Sequence, residues 1–171
     1  MAELQLTRCT LRPWRASDRD ELVVQANNRR VWRNLRDRFP HPYTRGDAER
    51  WLAFVADQTP QVNFCIDVAG KPAGGIGLDL RGDVDCRTAE IGYWLGEAYW
   101  GRGIASEAVR AMADWALATL NLARLEAGVF GWNPGSARVL EKAGFTCEGR
   151  LRDAVFKDGE LTDRLIYARL R

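Results

Sequence analysis

The sequence predicts one α/β domain, residues 1–171 with a core of about 8–170, built on a mixed and mostly antiparallel sheet flanked by helices. Three observations carry that expectation. A hairpin pattern runs from Asn63 to Leu80, and an apolar strand from Ala89 to Leu95 leads through a glycine-bearing turn into an amphipathic helix. Two further strands follow, folded about Lys157-Asp158-Gly159. Short period-2 segments bounded by turn residues suit strands, and the 3.6-residue period is confined to separate stretches.

In chain order, Leu4, Leu6 and Leu11 mark a first strand, ended at Arg12-Pro13-Trp14 because proline cannot donate to a ladder. Ala16-Ser17-Asp18 reads as a helix start, with Ser17 or Asp18 as N-cap and Glu21 completing a capping box. Helical pattern continues to about Leu35. After the proline-rich loop from Phe39 to Thr44, Thr44 is expected to cap a helix that buries Trp51, Leu52 and Val55. Between Asn28 and Arg50 stand Arg29, Arg30, Arg33, Arg36, Arg38, Arg45 and Arg50, facing only Asp37, Asp47 and Glu49. Such a run is either a solvated helix face or the flank of a site.

Asn63 to Val68 and the stretch through Ile76 to Leu80 form the hairpin, turning at Ala69-Gly70-Lys71-Pro72. Arg81-Gly82-Asp83 closes it before the Ala89 to Leu95 strand. Ala105, Ala108, Val109, Met112, Ala116 and Leu120 define one helical face. Arg124 to Phe130 is strand-like, Asn133-Pro134-Gly135 is a turn, and Ser136 to Ala143 is a short helix stopped by Gly144. Thr146 to Leu170 holds the last two strands.

Composition bounds the function. Hydrophobic residues at 46% and charged residues at 28% describe a soluble globular chain, and a net charge of +2 argues for no nucleic-acid partner. Cys9, Cys65, Cys86 and Cys147 are scattered and form no C-x-x-C pair, so no metal is expected, and Cys65 reads as a small core residue. With no apolar N-terminal region and no membrane-length segment, the expectation is a cytoplasmic protein with no membrane partner.

The stretch from Ile91 to Leu120 joins a strand, Gly101-Arg102-Gly103 and a helix start. The first amides of a helix have no intrahelical partner and carry partial positive charge. Glycines let a phosphate approach them, so the turn predicts a pyrophosphate cradle, the alternative being a turn that uses glycine only for its backbone angles. A P-loop is excluded because Gly-Lys-Ser/Thr occurs nowhere. The dinucleotide fingerprint G-x-G-x-x-G/A fails at Ser106.

Trp100-Gly101-Arg102-Gly103-Ile104-Ala105 resembles the Q/R-x-x-G-x-G/A acetyl-CoA loop of the GCN5-related N-acetyltransferases (GNAT), with Trp100 in the Gln/Arg position. The string from Gly92 to Val109 resembles the RimJ/RimL type. So do Asn133-Pro134-Gly135-Ser136, Glu141-Lys142-Ala143-Gly144-Phe145, Asp163 and Tyr167-Ala168-Arg169-Leu170. The resemblance implies the GNAT fold, acetyl-CoA as acetyl donor and an amine acceptor, either a protein N-terminal α-amine or a small molecule. A silent acetyl-CoA-binding sensor is the alternative.

The resemblance also proposes residues. Glu90 aligns with the strand glutamate that serves as general base, the other reading being a surface or paired carboxylate. Amides near Trp94 and Leu95 would bind the thioester carbonyl and the pantetheine, beside a turn made by Trp100, Gly101, Arg102, Gly103, Ile104, Ala105 and Ser106. The side chains of Trp94 and Trp100 are expected as core or pocket wall. Ser136 is the candidate acid for the thiolate or simply the cap of its helix, and Asn133 would hold pantetheine or loop. Leu140 stands where many relatives place a tyrosine acid. The edge strands and tail would allow a homodimer, as in some relatives.

Overall fold

The computed structural model describes residues 3–171. The chain divides into two compact units, Met1–Gly77 with Tyr93–Ala108 and Leu78–Gly92 with Val109–Arg171.

The first unit begins with β1 (Leu4–Gln5) and β2 (Thr10–Arg12), an antiparallel pair rather than the continuous strand expected. The strand breaks because the amides of Thr7 and Arg8 leave the ladder and donate to the Glu107 carboxylate at 3.1 and 2.8 Å. The expected long helix is also divided, into α1 (Arg19–Ala26) and α2 (Arg29–Trp32). Asn28, in extended conformation, accepts from the amides of Arg30 and Val31 and starts α2 afresh. The expected cap at Asp18 is replaced by a buried ion pair: Asp18 accepts from Arg12 and from the Arg15 amide. Glu21 accepts from Gln25 instead of completing a box.

Thr44 caps α3 (Arg45–Ala56) as expected, with Asp47 reciprocating in a capping box. Leu22, Ala26, Tyr43 and Ala48 form the core under the helices, with Trp14, Phe39, Trp51, Leu52 and Trp94 packed around them. β3 (Asn63–Val68) and β4 (Lys71–Leu80) make the expected hairpin, turning through Ala69 and Gly70 at φ +53° and +83°. Leu11, Phe64, Cys65 and Ile66 are fully buried in this sheet.

In the second unit, the beginning of β5 (Thr88–Leu95) lies parallel to β6 (Arg124–Phe130). α4 (Ile104–Thr119) follows the cradle turn and enters this unit at Val109, and α5 (Pro134–Lys142) ends in Ala143 and a left-handed Gly144 at φ +88°. β7 (Thr146–Lys157) and β8 (Glu160–Leu170) are joined by Asp158 and Gly159, both at positive φ, as a two-residue hairpin turn requires. The buried face of α4 is Ile104, Ala108, Val109, Met112, Ala113, Ala116 and Leu117, so Ala105 and Leu120 are only partly covered.

Strand order is β1-β2-β3-β4-β5-β6-β8-β7, with β4 and β5 running through both units. The β5–β6 pair is parallel, while β1–β2, β2–β3, β3–β4, β6–β8 and β7–β8 are antiparallel. The mixed, mostly antiparallel sheet is the one the sequence predicts.

Candidate functional site

The cradle belongs to the first unit and starts where β5 ends. Two glycines of β4 let β5 come close there. A Cβ on Gly74 would stand 2.2 Å from the Trp94 carbonyl oxygen, and one on Gly75 would stand 2.8 Å from the Trp94 indole nitrogen. The Gly96 amide then bonds Ala73 O at 2.8 Å, and a single 3-10 turn, Glu97–Tyr99, carries the chain to Trp100. Trp94 turns its ring onto Phe39, edge to face at 5.4 Å, and is a wall of the aromatic core as expected. Trp100 is 38% exposed and donates its indole N–H to Leu95 O at 2.7 Å, which ties the turn back to the strand.

Gly101 and Gly103 have φ +74° and +76°, a region that L side chains rarely adopt. At Gly101 a Cβ would meet no atom within 4 Å, so packing leaves that side of the turn open. The first intrahelical bond of α4 runs from Glu107 N to Gly103 O at 3.2 Å. The amides of Ile104, Ala105 and Ser106 precede it and have no carbonyl four residues back within the helix. These amides and the dipole of a sixteen-residue helix make an anion site whose glycines remove the obstruction. Such a turn fits a diphosphate.

Cations gather around it. Arg102 lies over the Tyr99 ring at 5.8 Å, and Arg30 over the Trp100 ring at 5.6 Å. Arg30 also pairs with Glu97, to which Asn28 Nδ2 donates at 2.8 Å. One member of the arginine run is thereby tied to the cradle turn. Others pair elsewhere: Arg45 of α3 with Asp20 of α1, and Arg50 with Asp47 within α3.

The remaining candidates lie in the second unit. Glu90 is half-buried and forms the last pair of the parallel β5–β6 ladder, opposite Glu126. Glu126 is held by Arg81 at 2.6 Å and Arg124 at 2.7 Å. β6 runs on to Phe130 paired with β8. Asn133, not Ser136, caps α5: its Oδ1 accepts the Ser136 amide at 3.1 Å, with Pro134 at the first helical position. Ser136 is therefore relieved of the capping duty that the sequence left open, and it stands half-buried in the first turn. Leu140 is fully buried and offers only packing. Tyr167 donates to Glu141 at 3.0 Å, and burial together with that carboxylate pushes its phenol up to about 12.

Sequence reasoning missed Gly74 and Gly75, whose role appears only when β4 meets β5, and Arg8, which lies far upstream of the motif it touches. Among the described residues, no group of three or more His, Cys, Asp or Glu could hold a metal ion, and no helix is long and apolar enough to cross a membrane.

The acetyltransferase (GNAT) domain model matches residues 8–146. The chain belongs to the GNAT acetyltransferase family. The GNAT match takes in parts of both units. The Uncharacterized N-acetyltransferase p20 of Bacillus licheniformis is 30% identical over 100% of this chain and 97% of that protein. The Ribosomal-protein-serine acetyltransferase of Escherichia coli (strain K12) is 38% identical over 49% of this chain. The chain spans about half the length of this and other curated relatives it matches, 47% in the Escherichia coli case. Among solved structures, RimL, a ribosomal alpha-N-protein acetyltransferase in complex with coenzyme A, superposes with a TM-score of 0.86 at 21% identity, covering 99% of this chain and 98% of that one. The fold expected from the RimJ/RimL resemblance is the fold found.

Proposed function

We propose that this chain transfers the acetyl group of acetyl-CoA to a primary amine, with a protein N-terminal α-amine or a small amine as acceptor, in the cytoplasm. The observation that carries the reading is the open turn at Gly101 and Gly103 beneath the amides of Ile104, Ala105 and Ser106. Acetyl-CoA, when bound, supplies the acyl group as a reactive thioester. The residues of the turn hold its diphosphate, while Trp94 and Leu95 line the start of the path along β5. Glu90 takes a proton from the attacking amine, directly or through water, and Ser136 gives one to the departing thiolate. Asn133 fixes the Ser136 backbone by capping α5. The arginines of α2 and the loop after it favour an acidic peptide or carboxylate-bearing amine and repel polycations.

Two relatives named for ribosomal-protein acetylation support the N-terminal acceptor. The test is calorimetric titration with acetyl-CoA, followed by an acetylation assay on acidic peptides, small amines and polyamines. Gly101→Ala is the control that disturbs the turn itself, because a side chain at φ +74° is strained even though its Cβ meets no protein atom. Binding that weakens in the variant, with an acidic peptide as the best acceptor, is the expected result. Binding without product from any amine would leave a sensor, and spermidine outpacing every acidic peptide would remove the acceptor assignment.

A further inference from the structure

The first position of the acetyl-CoA loop is where the family pattern places Gln or Arg, and here it is Trp100. That indole spends its only donor on Leu95 O. The motif's own arginine, Arg102, lies over Tyr99. A different guanidinium reaches the turn from the β1–β2 connection. A Cβ on Gly103 would stand 3.3 Å from Arg8 Nε, 3.6 Å from its Cδ and 3.8 Å from its Cζ. Arg8 thus lies against the backbone immediately before the amides of Ile104, Ala105 and Ser106.

Its placement is built, not incidental. Glu107, in the first turn of α4, accepts the amides of Thr7 at 3.1 Å and of Arg8 at 2.8 Å. Leu6 N closes the same loop on Cys9 O at 2.9 Å. The carboxylate is occupied by the main chain, so its approach to the Arg8 guanidinium is loose: 3.8 Å, beyond a hydrogen bond, with the arginine side chain 53% exposed. The loop is fixed while the fork of donors at its tip stays available. A planar guanidinium matches phosphate oxygens two at a time, which an ammonium does not.

We infer that Arg8 is a coenzyme-binding residue that grips the diphosphate of acetyl-CoA at the Gly101–Ser106 turn, adding from the N-terminal loop a guanidinium where Trp100 replaces the Gln or Arg of the family pattern. Glu107 is its positioning residue, because it holds the loop by main-chain bonds. This rests on the acetyl-CoA reading above. The diphosphate is the group addressed because Arg8 lies beside Gly103, the residue directly before the first amides of α4.

The test is titration calorimetry of wild type, Arg8→Gln and Arg8→Lys with coenzyme A and with 3′-dephospho-coenzyme A, alongside apo melting curves. The main-chain bonds to Glu107 survive both substitutions, so the melting curves should coincide. Arg8→Gln is expected to weaken both ligands by about tenfold, and Arg8→Lys by less, in line with the loss of one charge-assisted contact. In a Glu107→Ala background the penalty of Arg8→Gln should shrink, since the guanidinium is no longer held in place. Undiminished binding in Arg8→Gln beside tight wild-type binding would overturn the assignment and leave the acetyltransferase reading intact. A penalty seen with coenzyme A but not with its 3′-dephospho form would also overturn it, moving Arg8 to the 3′-phosphate. Wild type that binds neither ligand would remove both readings.

Discussion

Arg12 shows how one side chain can organise a sheet edge and a helix start together. It is 3% exposed, donating through Nε to Asp67 at 2.7 Å and through its two terminal nitrogens to Asp18 at 2.8 and 2.9 Å. Asp18 also takes the Arg15 amide and Asp67 takes the Gly70 amide at 2.7 Å, so each carboxylate is further satisfied. The two carboxylates push the Arg12 pKa up against the effect of burial, which opposes charge. Removing the cation leaves two buried carboxylates without a counter-charge, and breaking such a pair costs about 3–5 kcal/mol. Arg12→Met should therefore lower unfolding free energy by that order in urea. Adding Asp18→Asn and Asp67→Asn should recover part of the loss. A change below about 1 kcal/mol would mean that water reaches the cluster. Nothing in the local sequence marks this: Arg-Pro-Trp reads as a strand end, and the acids that pair with Arg12 lie on other elements.

At the scale of elements, α5 separates capping from chemistry. Asn133→Ala removes the oxygen that accepts the Ser136 amide and should cost about 1 kcal/mol of stability. Ser136→Ala leaves that amide bond in place, so it should lower turnover for a smaller loss of stability than Asn133→Ala. Equal stability losses in the two variants would return Ser136 to a structural role. The C-terminal hairpin gives a pH prediction. Asp163 Oδ1 accepts the Asp153 amide at 2.9 Å, holding β7 where its register with β8 shifts between Leu151 and Val155, and Asp163 pairs with Arg150. The Asp153 amide first, and then Arg150, hold the Asp163 carboxyl below the usual aspartate range. A depressed carboxyl contributes stability above its unfolded pKa and loses it as pH falls through the folded value. The contribution is thus complete at neutral pH and disappears below about pH 4. Melting curves of wild type and Asp163→Asn should differ at pH 7 and converge in acid; a constant gap would point to a charge-independent contact.

These elements also show what sequence carries and what it does not. The β3–β4 hairpin, β6, the Thr44 cap and the Asp158-Gly159 turn were legible because their signals are local: alternation, a reciprocal cap, a glycine after a polar turn residue. β1 and β2 look like one strand in the sequence because Glu107, which pulls the Thr7 and Arg8 amides out of the ladder, is a hundred residues from Thr7. The α1–α2 break depends on the Asn28 side chain satisfying the amides of a new helix, a local device hidden inside a loose helical pattern. The cradle was legible from its glycines. Arg8 and the close approach at Gly74 were not, since both exist only through tertiary contact.

For the whole molecule, coenzyme held at the proposed cradle would couple folding stability to ligand. A ligand that binds only the folded state stabilises it by RT ln(1 + [L]/Kd), about 2.7 kcal/mol at a hundredfold excess over Kd. For a chain of 171 residues that corresponds to roughly 5–10 °C in Tm. Local protection should be uneven. The amides of Ile104, Ala105 and Ser106 precede the hydrogen-bonded part of α4, and those of Thr7 and Arg8 rest on Glu107, so coenzyme A should slow hydrogen exchange at these two segments first. The β7–β8 hairpin belongs to the second unit, so its exchange at sub-global openings should stay as it was. Hydrogen exchange read by mass spectrometry with and without coenzyme A distinguishes this pattern from uniform protection, which would mean that the ligand acts only on global unfolding. Protection confined to residues 101–107 with residues 6–9 unchanged would argue that the N-terminal loop takes no part in holding the coenzyme. Protection in both segments would show the two meeting on one ligand.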